Sequence, residues 1–377
     1  MPRRVTRLEL PAQAVLLVAL VAGGAPASAQ QVTRVPGTPV CSECDLRAVR
    51  SVVLGTSDGD AALGGQLSSV AKDSKGTFYV GERGGPPLVF DSRGRFVRRL
   101  ARPGRGPGEL ADGVAVFVAP GDSVHVIDIE TGRRSIFSPT GEFVRMVPQP
   151  GIGRFGLILP DGNLVLNVGG LDAALIGAPL HLIDTAGRVI RSFGGNYRVV
   201  IGENGTDPWL LARLVGPSRS GRFWAAHYLE YEFSLWSSTG ELIKHYERVN
   251  DFFRPNERFR IALSPRTPPR VSTIREDSTG LVWITIQVPV PQEEWEAGIG
   301  KPELNRRGQP VYRHAMRGRL FHTRVEVIDP ITGRLLVSRR LPFYAVAATD
   351  DGEYAAYRQD EDGVPYLDIW RVQLVQP

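Results

Sequence analysis

The chain has 377 residues, with 45 Lys and Arg against 40 Asp and Glu, for a formal net charge of +5. Its cations are 41 arginines and 4 lysines, scattered along the chain rather than gathered on one periodic face, which argues against a nucleic-acid partner. The length suggests two or more domains unless closed repeats unite it into one.

Residues 1–29 read as a secretory signal. Arg3, Arg4 and Arg7 give a positive start, residues 12–22 are apolar, and Ala27-Ser28-Ala29 offers a small-residue cleavage site before Gln30. The apolar run is too short for a bilayer span of roughly 20 residues, so no transmembrane span is expected in the mature chain. The expected destination is outside the cytoplasm: periplasmic, cell-envelope associated or extracellular. Residues 30–48 form an N-terminal segment carrying Cys41-Ser-Glu-Cys44. In an exported chain this pair is expected to be a disulfide. Haem attachment would need His where Asp45 stands, and a zinc site would need two further ligands nearby.

From residue 66 onward, short apolar runs alternate with turn residues, the pattern of antiparallel sheets. One turn series ends in glycine before a strand: Asp73-Ser-Lys-Gly76, Pro120-Gly121-Asp122, Pro160-Asp161-Gly162, Ser218-Arg-Ser-Gly221, Asp277-Ser-Thr-Gly280 and Asp350-Asp351-Gly352. A second series interleaves with it, closing at Gly94, Gly141, Gly187, Gly240 and Gly333. Asp or Ser at a turn start bonds the backbone two residues on, and the closing glycine accepts positive φ. Each pair of turns marks a four-stranded sheet. The glycines of the second series are 47, 46 and 53 residues apart before an insertion widens the next interval to 93. Units of this size with four strands are propeller blades. The sequence therefore predicts an all-β, six-bladed β-propeller of four-stranded antiparallel blades over 49–374. Its last blade, three strands long, would be closed by an N-terminal strand at 49–54, and blade five would carry an insertion at 288–319.

Phe78-Tyr-Val-Gly, Leu88-Val-Phe-Asp-Ser-Arg-Gly-Arg-Phe-Val97 and Gly104-Arg-Gly-Pro-Gly-Glu-Leu110 resemble an NHL-type repeat. The ending Val364-Pro-Tyr-Leu-Asp-Ile-Trp-Arg-Val-Gln-Leu374 is similar to the last blade of exported bacterial six-bladed propellers. The resemblance implies the fold. It leaves function open, because such propellers include binding modules, sensor ectodomains, lyases and hydrolases.

Propeller geometry puts both turn series on one face, where they read as architecture, and the long connections on the other. Those connections are 81–87, 100–110, 169–179, 194–208, 250–269 and 288–319. Loops beyond about 12–15 residues are uncommon unless functional or disordered. The expected binding residues on that face are Trp209, Phe252, Phe253, Arg254, Trp295 and Tyr312.

Catalytic signals are sparse. The histidines, His125, His181, His227, His245, His314 and His322, read as packed or surface residues. Asp112, Asn163 and Glu276 lie near inner-blade regions but not at equivalent repeat positions, so neither a metal nor another cofactor is expected. The Gly104–Glu109 stretch lacks the Gly-Lys-Ser/Thr ending of a phosphate loop, and no Gly-x-Ser-x-Gly elbow is present. The reading is an exported binding or scaffold propeller that recognises a protein, peptide or glycan. The alternative is a lactonase-like hydrolase or a lyase at the channel mouth.

Overall fold

The computed structural model describes residues 32–376 apart from 57–58, 60–61, 65–66, 152, 154, 168–176, 196–210, 251, 254–266, 300–302, 305–309 and 312–313. Six four-stranded antiparallel sheets make a six-bladed β-propeller. Blade one comprises Leu67–Lys72, Phe78–Glu82, Leu88–Phe90 and Phe96–Arg99; blade two, Gly113–Val118, Val124–Asp128, Arg133–Phe137 and Phe143–Pro148. Blade three comprises Phe155–Ile158, Leu164–Asn167, Leu180–Ile183 and Val189–Phe193; blade four, Arg213–Pro217, Phe223–His227, Glu232–Trp236 and Leu242–Arg248. Blade five comprises Arg270–Glu276, Val282–Pro289, Phe321–Asp329 and Arg334–Arg340, and blade six Ala345–Ala348, Glu353–Gln359 and Pro365–Val375.

Blade six is completed by Asp45–Leu54, which pairs antiparallel with Pro365–Val375 from Asp45 opposite Val375 to Leu54 opposite Leu367. The closing strand thus begins four residues before the expected 49–54. Upstream, Val32–Val35 adds an unforeseen fifth strand, parallel to the outer strand of blade four. Between these two strands, the Val40 N–H donates to the Leu335 carbonyl of blade five. The N-terminal segment is therefore a strap over blades four, five and six. Cys41 and Cys44 are disulfide-bonded within it, as expected.

The turns explain the repeat. In the second series, Asp91 and Asp184 each accept the backbone N–H groups two and four residues on. Gly94 closes its turn at φ +80°, and a Cβ there would collide with the carbonyl oxygen of Val53 in the closing strand. Gly187 meets the Pro148 carbonyl of blade two in the same way. Glycine is thus required both for turn geometry and for the close approach of the preceding blade.

The core lies between blades rather than at the centre. Phe78, Val80 and Phe90 of blade one pack on Ala355, Leu367 and Ile369 of blade six, and Tyr79 and Val89 pack on Val124, Val126 and Phe137 of blade two. Each such apolar side chain contributes at most about 1.5–3 kcal/mol on burial. Alternation along each strand supplies one face to each neighbouring blade.

Candidate functional site

The inner strands start at the face bearing the long connections and end at the face of the first turn series. Each face therefore holds one mouth of the channel.

At the connection-bearing mouth, Phe155, Arg213, Arg270 and Ala345 open the inner strands of blades three to six. Tyr228, in the loop after the second strand of blade four, stacks on Phe155 with centroids 6.3 Å apart and an interplanar angle of 27°. Its backbone is fixed on both sides: its N–H donates to the Ala212 carbonyl and its own carbonyl accepts from Val271. The Arg270 guanidinium lies 4.4 Å above the Phe321 ring and donates to the phenol oxygens of Tyr228 and Tyr344. Phe155, Tyr228, Arg270 and Tyr344 all remain partly accessible. Partly exposed aromatic faces held in fixed orientation can stack on a ligand at little entropic cost.

Of the expected binding residues, the three that the structure describes are packed against blades four and five. Trp295, in the helix Gln292–Gly298 of the insertion, is 2% exposed and meets Phe321 edge-on at 5.3 Å. Phe253 is buried against Tyr231, and Phe252 lies beneath the Arg324 guanidinium. Their rings hold the connections onto blades four and five. Trp209, Arg254 and Tyr312 lie outside the described residues.

Beside Tyr228 is a grouping that reading each histidine separately did not single out: His227, Glu230 and Glu232, with ligand-type atoms within 4.8 Å of one another. Burial and the neighbouring Glu232 push the accessible Glu230 carboxyl above its ordinary range. Glu232 faces Arg213 and His245, each at 3.8 Å. His227 Nδ1 accepts the backbone N–H groups of Leu229 and Glu230, both at 3.0 Å. The ring proton therefore sits on Nε2, and this tautomer has no free lone pair for a cation. The arrangement suits proton donation and loop bracing better than metal ligation.

The other polar candidates brace turns and connections. Glu276 accepts from Ser218 Oγ and Trp224 Nε1, Asp112 accepts the Gly84 N–H, and Asn163 donates to Asp161.

The opposite mouth holds more than architecture. First-series turns from blades one, two, three, four and six enclose a cavity of 680 Å³. Lys72 and Lys75, two of the four lysines in the chain, line it together with Asp73, Asp122, Asp350 and Asp351. Lys72 bridges Asp351 at 2.5 Å and Glu353 at 2.9 Å. Burial within the ring of turns and the adjacent Asp351 push the Asp350 carboxyl up to about 6, although solvent reaches its side chain through the mouth. Reading each turn only as a turn hides this cavity, which exists because the ring brings the turns together.

No family model and no curated protein matches the sequence. Among solved structures, the chain is similar to a protein of Bacteroides fragilis described as exported, at TM-score 0.57 and 13% identity over 91% of this chain and 100% of that one. It is similar to a member of the DUF4221 family from Bacteroides vulgatus at TM-score 0.52 and 12% identity, over 88% and 99%. Virginiamycin B lyase from Staphylococcus aureus aligns at TM-score 0.46 and 9% identity, over 88% and 100%. At these identities the likeness to the two Bacteroides proteins is one of fold. The protein is a six-bladed β-propeller, and no described helix is long and apolar enough to cross a membrane.

Proposed function

We propose that this is an exported binding propeller that recognises a protein, peptide or glycan through its connection-bearing face. The observation that carries the reading is the braced aromatic mouth: Phe155, Tyr228 and Tyr344 are partly exposed around Arg270. Aromatic and arginine side chains dominate recognition sites because they offer large contact area with few rotors to freeze. Phe252, Phe253 and Trp295 lie in connections beside this mouth, and Trp209, Arg254 and Tyr312 remain candidates on sequence grounds. Those with buried rings act by holding these connections in place.

Screening the purified protein on immobilised glycan and peptide arrays tests the reading. Tyr228→Ala and Tyr344→Ala should each weaken the strongest interaction at least tenfold without altering the melting temperature by more than a few degrees. A protein lacking 288–319 that folds and keeps every interaction would remove the insertion from the site. Retained binding in both tyrosine variants would overturn the choice of mouth.

A second reading, a hydrolase or lyase at the same mouth, is favoured by the raised Glu230 carboxyl beside His227. It requires Glu230→Gln to abolish a turnover that Tyr228→Phe retains.

A further inference from the structure

The junction between blades two and three carries polar side chains at two positions that are aromatic or apolar in other blades. At the second position of the second strand, blades one, four and five direct Tyr79, Trp224 and Trp283 toward the next blade, whereas blade two has His125. One rung away on the third strand, blades three to five have Leu180, Phe233 and Val325, all buried and apolar, where blade two has Arg134. A charge thus replaces an interior hydrophobe, and neither the aromatic ring of blades one, four and five nor the buried aliphatic Val165 of blade three has a counterpart here.

A cavity of 200 Å³ lies at this place, lined by Ser123, His125, Arg134, Arg145, Pro160 and Thr185 among others. Arg134 is 0% exposed. Its Nη2 donates to the Asp184 backbone carbonyl at 3.1 Å, but Nε and Nη1 have no acceptor. Asp184 is the acid nearest in effect, yet its carboxylate is already occupied by the backbone N–H groups of Ala186 and Arg188 and by the Arg188 guanidinium. Arg145 adds a second positive charge at the accessible edge. The buried His125 contacts Ser123 Oγ through Nε2 at 3.2 Å, and its Nδ1 has no partner.

A buried guanidinium without a counter-charge is costly, and an unmade hydrogen bond from a buried donor adds to the cost. Both are relieved by an anion in the cavity, which can accept from Arg134 and lie within the field of Arg145. We propose that this junction binds a small oxyanion, with Arg134 as the buried anchor, Arg145 as the cation at the entrance, and His125 Nδ1–H as a further donor when Ser123 donates to Nε2. The volume is several times a water's share of about 30 Å³ and accommodates a sulfate, phosphate or carboxylate group with accompanying water. Arginine is suited to such an anchor because it keeps its charge when buried and presents several directed donors.

The test uses the full chain melted in sodium sulfate, sodium acetate and sodium chloride at matched ionic strength. Wild type should melt about 2 °C higher in at least one oxyanion than in chloride. The sulfate and acetate arms distinguish tetrahedral from planar ligands. Arg134→Leu, which copies blade three, should fold, melt no lower than wild type in chloride, and lose the oxyanion response. Arg145→Gln, at an accessible position, should bind sulfate or acetate at least fivefold more weakly by calorimetry. In wild type the bound oxyanion should also raise the His125 titration midpoint, followed by ring NMR. Equal melting temperatures in all three salts for wild type would overturn the proposal. So would an oxyanion response preserved in Arg134→Leu, or unchanged calorimetric affinity in Arg145→Gln.

Discussion

Arg248 and Glu326 form an ion pair that solvent hardly reaches, with side chains 2% and 0% exposed and Nε 2.9 Å from Oε2. It joins the outer strand of blade four to the third strand of blade five. Tyr231 Oη and Ser338 Oγ also donate to Glu326, while Arg248 Nη1 and Nη2 donate to the carbonyls of Pro36 and Gly37 in the N-terminal strap. Glu326→Ala leaves a buried guanidinium without its carboxylate and should cost about 3–5 kcal/mol. Arg248→Met combined with Glu326→Leu should cost less than Glu326→Ala alone, because neither charge is then stranded. Urea unfolding midpoints of the two proteins check the order.

The disulfide spans three residues, and the strap around it is held independently by Val32–Val35 and Asp45–Leu54. A loop this short removes little entropy from the unfolded chain. Replacing both cysteines by serine should therefore cost about 2 kcal/mol or less and leave a cooperative transition. Thermal melts with and without reductant are the check. A collapse of the propeller on reduction would mean that the disulfide holds the strap, rather than the reverse.

The architecture was legible because each turn is written in local chemistry. Asp91 and Gly94, or Asp184 and Gly187, satisfy a hydrogen-bonding pattern contained within five residues. The closing strand was legible because blade six lacked a partner, although Asp45 to Ala48 looked like linker. Val32–Val35 was not legible, since its partners, His245 to Arg248, are more than 200 residues away and four alternating residues carry no signal of parallel pairing. The mouth depends on register in the same way. Nothing local shows that Tyr228 will stack on Phe155, or that Trp295 will turn inward onto Phe321.

Acid should weaken the fold through two histidines held neutral. Burial first, then Arg134 and Arg145, hold His125 down to about 4; burial, Arg340 and Arg324 hold His322 down to about 4. Unfolded, each takes up a proton near 6.5. Between pH 6.5 and 4 the unfolded chain therefore binds more protons, and stability falls as pH falls. The contribution of buried His125 is about 2 kcal/mol, and the more accessible His322 contributes less. Asp350 works the other way. Its carboxyl, raised to about 6, protonates first in the folded chain, so its penalty is full above pH 6 and relieved below the unfolded value near 3.8. Solvent access limits that effect to about 1 kcal/mol. Urea midpoints at pH 7, 5.5 and 4 should show a shallower acid loss in His125→Val and a steeper one in Asp350→Asn.

Ring closure makes the sharpest demand on stability. Leu54 is 0% exposed and belongs to the same core as Phe78, Phe90, Leu367 and Ile369, so the closing strand supplies packing between blades six and one as well as hydrogen bonds. Leu54→Ala should cost about 2–5 kcal/mol. Removing residues up to Leu54 would expose the edge of Pro365–Val375, an 11-residue strand, and strip one wall from the blade one interface. That protein should associate through the bare edge and lose its single cooperative transition. Removal up to Cys44 only, which spares the pairing of Asp45 with Val375, should yield a monomeric, weakened propeller. Size-exclusion profiles and melts of the two truncations separate the strap from the closing strand. Equal behaviour of the two would show that the ring does not depend on the closing strand.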